Sequence, residues 1–468
     1  MLPIWVLRRQ DLGAVVRKSV GIGIALGAVA AGLTGAFAPL GLETPEQIAL
    51  SILIVAAAMW ITEAAPLFVT SLSVLALALV WLLPSLESAG IEAVPADFSS
   101  PFFSDVILLF LGGFTLSAAL RKHRFDERLA RGVIRATGGE MPKLIAGVMA
   151  ITALLSMWLS NTATAAMMLA LCLPLVSRLP EGHTGRLALI LSIPLAANIG
   201  GLGTPIGTPP NAIAVRYLQQ RGEPIDFGTW MMAGLPGVVV LLALAWCLLM
   251  YAGRKQRDTR FTLDEEPPPK ATGWKPKLVL VMAGLTIFGW ITGGWHGLSA
   301  GTVSLAPIIV LFGVGVLDSS DLRSMSWDVL LLMGGGLCLG EVMERSGLAA
   351  TIVEVLPLEG APAGVVLAIV CITACAMSTV MSNTATATLL LPLVMGLGAL
   401  DPSPLGLGVA MSCSLAMALP ISTPPNAIAF SSGEIRSKHL ILFGGAICLA
   451  GLTLLLLVGP WWWSVVGV

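Results

Sequence analysis

The sequence predicts an all-α polytopic membrane protein built from two inverted repeats. Of its 468 residues, 56% are hydrophobic and only 11% are charged, whereas soluble domains carry about 25% charged residues. A membrane-spanning helix needs about 20 apolar residues. Several stretches reach or approach that length, including Val20–Pro39, Leu67–Leu83, Trp230–Tyr251, Leu278–Gly294 and Leu440–Trp463. Three sequence blocks also recur in the same order in both halves, and the pattern predicts about eleven spans plus two re-entrant hairpins.

The distribution of basic residues predicts the topology. Lysine and arginine are concentrated at 8–18, 121–143 and 254–277, and cytoplasmic loops of membrane proteins carry the excess of such residues. Placing these clusters inside leaves only Arg216, Arg221 and Arg345 outside. The N-terminus is then cytoplasmic and the C-terminus outside, in a multi-pass protein of the cell inner membrane. Residues 1–18 have neither the apolar core nor the small-residue cleavage site of a signal peptide, so we expect the first span to be retained.

Repeats and charge together divide the chain into five predicted regions. These are N-terminal scaffold helices over 1–104, a first repeat over 105–253, a cytoplasmic linker over 254–277, further scaffold helices over 278–326 and a second repeat over 327–468. The linker is the one extended polar segment between spans, with mixed charge and three consecutive prolines, Pro267–Pro269.

The repeats are carried by three matched blocks. DVILLFLGG at 105–113 matches DVLLLMGGG at 328–336, SNTATA at 160–165 matches 382–387, and TPPNAIA at 208–214 matches 423–429. The charge rule makes the span after Asp105 run inwards and the span after Asp328 run outwards. Inverted repeats with interrupted hydrophobic segments at corresponding positions are typical of secondary transporters.

Two interruptions read as hairpin tips and two as helix breaks. The tips are 160–162 and 382–384, each in the middle of an apolar stretch whose two ends lie on the same side of the membrane. The breaks are 207–211 and 422–426, where Thr208 and Thr423 are predicted helix N-caps and a proline takes the first helical position. Irregular backbone at membrane depth is tolerated where it is buried in protein or lines a cavity.

These interruptions predict an anion site next to a cation site. Four helix N-termini converge, and each exposes unsatisfied N–H groups with about half a positive charge. Such ends bind carboxylate, phosphate or sulfate. None of the four motifs contains Lys, Arg or His, so backbone amides and Asn, Ser and Thr side chains must hold the anion. The carbonyl-bearing helix ends, with side-chain oxygens, suit Na⁺, which would supply the missing positive charge.

The paired SNT motifs, the paired TPPN motifs and WITEAAP at 60–66 resemble the divalent anion/sodium symporter family. The resemblance covers about 20–463, nearly the whole chain. It implies a homodimer in which a transport domain moves against a scaffold domain as an elevator, carrying dicarboxylates, citrate or sulfate. C4-dicarboxylates are the favoured substrates, and Na⁺ is the expected coupling ion.

The resemblance also implies the site residues. Substrate would contact Asn161, Thr162, Thr208, Pro209, Asn383, Thr384, Thr423 and Pro424. One Na⁺ site would use Ser156, Ser160, Asn161 and Gly207, and the other Ser378, Ser382, Asn383 and Ser422. Two positions depart from the family pattern. Ser378 stands where relatives can have threonine, and Met381 stands where a smaller residue is known; both sites survive if only backbone carbonyls are needed there.

Several alternatives stay open or are disfavoured. Family members that exchange anions without sodium are not excluded, nor are citrate or sulfate as substrate. A cation/proton antiporter or an arsenite-type pump would place carboxylates in the breaks, and the tips hold none. An intramembrane enzyme would need a Ser/His, paired Asp or His/Glu metal set, and no such set is evident. A purely structural subunit would not need twin polar breaks. The expected partners are a small anion, the lipid bilayer and a second copy of the chain, and no feature indicates nucleic acid.

Two further groups of residues have a structural interpretation. The seven cysteines lie in apolar runs and are expected to pack between helices as small apolar side chains. Glu63, beside Pro66, is expected to make a structural hydrogen bond rather than to bind an ion.

The predicted topology can be tested by cysteine labelling. A cysteine at Thr259 should react with an impermeant reagent only from the cytoplasm, and one at Glu359 only from outside, because the charge rule puts the two segments on opposite faces. Labelling of both from the same side would contradict the inverted repeats.

Overall fold

The computed structural model describes residues 4–181, 183–223, 225–252, 273–355, 361–396 and 401–468, with the side chains of 4–14 and 353–355 left aside. Most of the predicted linker, together with Thr259 and Glu359, lies outside these ranges. Within them the chain is helical. The longer helices, numbered here in chain order, are α1 (Ile4–Thr34), α2 (Thr44–Thr62), α3 (Leu67–Ser88), α4 (Asp105–Lys122), α5 (Phe125–Ala136), α6 (Met141–Ser156), α7 (Asn161–Val176), α8 (Thr184–Gly201), α9 (Pro209–Gln220), α10 (Phe227–Ala252), α11 (Trp274–Ile291), α12 (Ala300–Gly313), α13 (Trp327–Arg345), α14 (Leu348–Val355), α15 (Ala363–Val380), α16 (Asn383–Met395), α17 (Pro402–Leu415), α18 (Pro424–Ser431), α19 (Ser437–Leu457) and α20 (Gly459–Val465).

The predicted all-α polytopic class is confirmed. In the described part of the chain, nine helices are long and apolar enough to cross a membrane, and four shorter apolar helices accompany them. The predicted hairpins correspond to the pairs α6–α7 and α15–α16, and the predicted breaks separate α8 from α9 and α17 from α18. The opposite directions of the two repeats remain a prediction.

The two halves follow the same order of elements. A long helix (α4 or α13) is followed by a short one (α5 or α14), a hairpin pair, a broken helix and a closing helix (α10 or α19). This order extends the three matched sequence blocks to the whole of each half.

The helices after the two breaks interlock the halves. Helix α9 of the first half packs on α16 and α17 of the second, whereas α18 of the second half packs on α7 and α8 of the first. The helices before the breaks lie in the centre, and the buried share of residues is 83% in α8 but 33% in the most apolar stretch of α10. The polar breaks therefore lie where both halves meet, away from the lipid-facing helices.

Small residues allow the helices to approach closely. A Cβ on Gly200 of α8 would lie 2.6 Å from the Cα of Ala153 on α6, and one on Gly335 of α13 would lie 2.2 Å from the Cβ of Ser71 on α3. Helix packing in membranes relies on such contacts, because lipid offers no hydrophobic driving force for association.

Three predictions of local structure need correction. Helix α1 begins at Ile4 rather than near Val20. The last predicted span, Leu440–Trp463, is divided: α19 ends at Leu457 and α20 begins at Gly459, because Pro460 has no N–H to donate to the preceding turn and its ring crowds that turn. Cys247 is exposed on α10, in contrast to the five fully buried cysteines, because α10 turns one face away from the protein.

Candidate functional site

Four helices begin around one region between the two halves. Helices α7 and α16 begin after Ser160 and Ser382 at the hairpin tips, and α9 and α18 begin after Thr208 and Thr423 at the breaks. The backbone angles of the two threonines are nearly identical, with φ −142° and ψ 147° at Thr208 and φ −141° and ψ 148° at Thr423. The predicted N-cap positions are therefore confirmed. The Thr423 side chain accepts a hydrogen bond from the backbone of its own helix, from Asn426 N at 3.3 Å, whereas the Thr208 side chain does not cap its helix in this way.

A cavity of about 880 Å³ joins these four helix starts. All eight residues predicted to contact substrate line it: Asn161, Thr162, Thr208, Pro209, Asn383, Thr384, Thr423 and Pro424. The structure thus brings the predicted set together, while its role in binding stays a prediction. The prolines determine which donors face the cavity. Each break has proline at its first two helical positions and so lacks two N–H groups, whereas the hairpin tips keep theirs.

The mouth of the cavity is charged. Arg17 of α1, Glu63 at the end of α2 and Asp328 at the start of α13 all lie on its wall, and all three are exposed. Among the described residues lining the cavity, Arg17 is the only cationic one. Glu63 takes a left-handed conformation with φ 49° and ends α2. Among the described residues its carboxylate makes no hydrogen bond, so the structural role expected for it stays a prediction, and its position at the mouth was not anticipated.

The first predicted Na⁺ site is a group of oxygens beneath the first hairpin tip. Ser156 is fully buried, and its hydroxyl donates to the Ala197 carbonyl oxygen at 2.8 Å and also contacts the Asn161 side chain. The Asn161 amide lies 3.2 Å from the carbonyl oxygens of both Ser156 and Gly207 and donates to them when its Nδ2 faces them. With Oδ1 turned to the same carbonyls, oxygens converge with no proton between them, an arrangement that a bound cation stabilises. Ser160 lies on the cavity wall beside this group.

The second predicted Na⁺ site has the same arrangement of contacts. Ser378 is fully buried, and its hydroxyl lies 2.8 Å from both Asn383 Oδ1 and the Cys413 carbonyl oxygen, two acceptors that share its single proton. Ser382 and Ser422 line the cavity nearby. The Ser422 hydroxyl donates to the Thr379 carbonyl oxygen at 2.9 Å, so its backbone oxygen is the group left for a cation. Ser378 therefore occupies the position of Ser156 and makes the same contacts without a threonine methyl group.

Two asparagines that sequence reasoning did not single out hold the breaks together. Asn211 Nδ2 donates to the carbonyl oxygens of Gly201 at 2.9 Å and Thr204 at 2.8 Å. Asn426 Nδ2 donates likewise to Met417 at 2.8 Å and Leu419 at 2.9 Å. Both asparagines are fully buried. Each amide replaces hydrogen bonds that the interrupted helix cannot make for itself. The fourth letter of each TPPN motif was the available signal.

Two further polar residues connect the halves. Asn198 of α8 donates from Nδ2 to Thr423 Oγ1 and to Asn426 Oδ1, both at 3.1 Å. Ser414 of α17 shares a hydrogen bond of 2.9 Å with Thr208 Oγ1. Asn198 also lines the cavity. Each helix before a break therefore contacts the break of the other half, which no sequence motif indicated.

An apolar helical fold with a cavity at the ends of interrupted helices is typical of membrane transport proteins. The chain belongs to the citrate transporter family, whose family model matches residues 57–401. This membership confirms the resemblance to divalent anion/sodium symporters and identifies a transporter rather than an enzyme.

Individual relatives agree with this assignment. The sodium-dependent dicarboxylate transporter SdcS of Staphylococcus saprophyticus is 34% identical over 463 residues, covering 90% of this chain and 87% of the relative. SdcS of Staphylococcus aureus is 33% identical with the same coverage. Among solved structures, the Alcanivorax borkumensis YdaH transporter matches with a TM-score of 0.50 and 12% identity, over 82% of this chain and 89% of that chain. At that identity the likeness concerns the fold alone.

The asparagines that close the breaks should matter for stability. Asn211→Ala or Asn426→Ala leaves two buried carbonyl oxygens without a donor, at about 1–3 kcal/mol each, so we expect a clear fall in the melting temperature of the purified protein in detergent. Gln220→Ala on the same α9 is the control, because its amide bonds Glu341 at an exposed site. Equal melting temperatures for all three variants would contradict this role.

Proposed function

We propose that the protein is a secondary active transporter that moves small divalent anions, C4-dicarboxylates in the first place, across the inner membrane together with Na⁺. The observation that carries the proposal is that four helix N-termini meet at one cavity. Next to it lie two matching groups, each made of a serine hydroxyl, an asparagine side chain and a backbone carbonyl oxygen. Relatives named sodium-dependent dicarboxylate transporters, about a third identical over nearly the whole chain, support it.

The anion is held by two kinds of donor. At the hairpin tips, the proposed donors are the first-turn amides of α7 and α16 and the hydroxyls of Thr162 and Thr384, two residues that line the cavity. At the breaks, two successive prolines remove the amides, so the hydroxyls of Thr208 and Thr423 take their place. Two carboxylates of one substrate can then each meet a tip and a break, without a basic side chain on either.

The cations supply the charge that the anion site lacks. Asn161 and Asn383 each belong to a predicted cation site through the side chain and line the anion cavity. A Na⁺ ion on either group stands next to the substrate, in surroundings of low dielectric where opposite charges attract strongly. Anion and cation therefore stabilise each other, and this mutual stabilisation is the proposed basis of coupled transport.

The mouth of the cavity indicates which state is observed. Arg17, Glu63 and Asp328 lie in segments that the charge rule assigns to the cytoplasm. We therefore interpret the structure as open to the cytoplasm, with the N-terminus inside and the C-terminus outside. Arg17 would draw anions towards this opening.

Transport is proposed to proceed by an elevator movement of the hairpins and broken helices against a dimeric scaffold. The first tip meets the predicted scaffold through stacked rings: Trp158 lies parallel to Trp290 of α11 within 5°, with centroids 6.4 Å apart. Trp290 Nε1 donates its hydrogen bonds within the predicted scaffold, to Ala300 O at 3.0 Å and to Ser304 Oγ at 3.1 Å. A flat ring contact of this kind can slide without breaking hydrogen bonds.

Uptake into liposomes tests the substrate and the coupling. Purified protein should accumulate labelled succinate in response to an inward Na⁺ gradient, more strongly than citrate or sulfate. Uptake that depends on internal dicarboxylate and not on Na⁺ would favour the exchanger, and preference for citrate or sulfate would change the substrate. Asn161→Ala and Asn383→Ala should each reduce succinate uptake by at least about 100-fold, because each removes two interactions with charged partners of about 1.5–3 kcal/mol. Ser192→Ala is the control and should behave as wild type, because the buried Ser192 hydroxyl donates to the Leu189 carbonyl oxygen of its own helix. Near-normal uptake by either asparagine variant would remove that tip from the site.

Two matched disulfides test the elevator in a cysteine-free background. A Cβ on Gly113 of α4 would lie 3.9 Å from the Cβ of Ile206 in the first break, and a Cβ on Gly289 of α11 would lie 3.9 Å from the Cβ of Val303 of α12. Both distances suit a disulfide. Helix α4 packs on the scaffold helix α12 and is taken in this proposal to stay with the scaffold. The pair Gly113→Cys/Ile206→Cys therefore joins a static element to a moving one and should stop uptake until it is reduced. The pair Gly289→Cys/Val303→Cys lies within the scaffold and should leave uptake nearly unchanged. Full uptake with the first disulfide closed would contradict the elevator.

A further inference from the structure

The starting point is the orientation of the Asn426 side-chain amide. Its Nδ2 donates to two backbone carbonyl oxygens, those of Met417 and Leu419, at 2.8 and 2.9 Å. Carbonyl oxygens only accept hydrogen bonds, so the amide cannot be turned around without losing both. Asn426 Oδ1 must therefore face the other way, towards Asn198.

This orientation fixes Asn198 in turn. Asn426 Oδ1 can only accept, so Asn198 must present its Nδ2, which lies 3.1 Å from that oxygen. The same Nδ2 lies 3.1 Å from Thr423 Oγ1 and donates its second proton there. Asn198 is 3% exposed, which leaves little water to compete for these bonds.

The Thr423 hydroxyl is the last group in this chain of hydrogen bonds, which runs from Asn426 through Asn198. Its oxygen accepts from Asn198 Nδ2 and from Asn426 N at 3.3 Å, which occupies both lone pairs. Its own proton has no acceptor among the described residues, and Thr423 lines the cavity. The hydroxyl is thus left with a single role towards a ligand, that of donor.

The other break differs, although its motif is the same. Thr208 Oγ1 pairs with Ser414 Oγ at 2.9 Å, and either oxygen can be the donor. Asn211, the counterpart of Asn426, is not held by a third residue in this way: its Oδ1 is buried and has no hydrogen-bond partner among the described residues. The Thr208 hydroxyl can therefore donate to a ligand or accept from it, whereas the Thr423 hydroxyl can only donate.

We infer that Asn198 is a positioning residue of the second half of the anion site, which acts through Thr423 by committing its hydroxyl to donate to a ligand oxygen. The inference rests on the proposed function. A committed donor favours a ligand atom that only accepts, which is the ionised carboxylate or sulfate oxygen, over a protonated acid or an amide nitrogen. Asn198 itself need not touch the substrate.

Substitutions of Asn198 should change the apparent affinity for the anion rather than the turnover. In reconstituted protein with saturating Na⁺, Asn198→Ala frees the Thr423 hydroxyl to rotate, and we expect the KM for succinate to rise about five- to ten-fold, the size of one lost hydrogen bond. Vmax should stay within about two-fold of wild type. The increase in melting temperature that succinate gives to the purified protein should shrink in parallel. Ser192→Ala on the same helix controls for general effects.

A second variant, Asn198→Asp, replaces the donor that faces the Thr423 hydroxyl with an acceptor. Asn198→Asp keeps the shape, but an ionised aspartate accepts the Thr423 proton and repels the anion, so its KM should exceed that of Asn198→Ala. A protonated Asp can donate again. The ratio of variant to wild-type KM should therefore fall as the pH is lowered, a comparison in which titration of the substrate cancels. If the aspartate variant does not fold, the alanine variant carries the test.

A double-mutant cycle separates this role from a structural one. In a Thr423→Val background, Asn198→Ala should raise the KM by less than two-fold further, because the hydroxyl on which it acts is gone. An unchanged KM in Asn198→Ala, or an undiminished effect of Asn198→Ala in the Thr423→Val background, would overturn the inference while leaving Na⁺-driven uptake by the wild type intact. A wild type without such uptake would instead overturn the proposed function, and this inference with it.

Discussion

Every backbone polar group that a broken helix exposes inside a bilayer must find a partner within the protein, and the architecture around the cavity follows from that constraint. Four interruptions expose four sets of amides and four sets of carbonyls. Asn211 and Asn426 satisfy the carbonyls next to the breaks, and the serines beneath the tips satisfy those of the neighbouring helices. The amides at the tips are left for a ligand. The site thus consists of the backbone amides that remain once these asparagines and serines have satisfied the neighbouring carbonyl oxygens.

The absence of basic residues from the four motifs determines the chemistry that remains. A lysine or arginine at membrane depth would bind an anion permanently and would be costly to expose when the cavity empties. Helix ends and hydroxyls attract an anion more weakly, and the oxygen groups around Asn161 and Asn383 can recruit a mobile cation instead. A cation that arrives and leaves with the substrate makes the strength of the site depend on the ion, which a fixed charge could not do.

Paired motifs made much of the fold and site predictable from the sequence. Apolar length and charge asymmetry predicted the helical class, and the SNT and TPPN repeats marked the positions where the four helices begin. Asn198 and Ser414 were not predicted, because they lie outside the motifs and at different distances from them. Asn198 lies ten residues before Thr208, whereas Ser414 lies nine residues before Thr423. Their shared role depends on the side chain each one reaches across the interface, which spacing along the chain does not encode. The exposure of Cys247 likewise depends on which way α10 faces, and an all-round apolar helix gives no indication of that.

The crossed packing of α9 and α18 has a consequence for biosynthesis. Helix α9 rests on α16 and α17, and α17 begins about 180 residues after α9 ends. At roughly 5–20 residues per second, the ribosome needs about 10–40 s to supply that partner. During this interval the first half is inserted with its break uncovered and Thr208 without Ser414. The nascent chain therefore waits in the membrane as an incomplete unit, and neither half, produced on its own, contains the surface on which its central helix is built to rest.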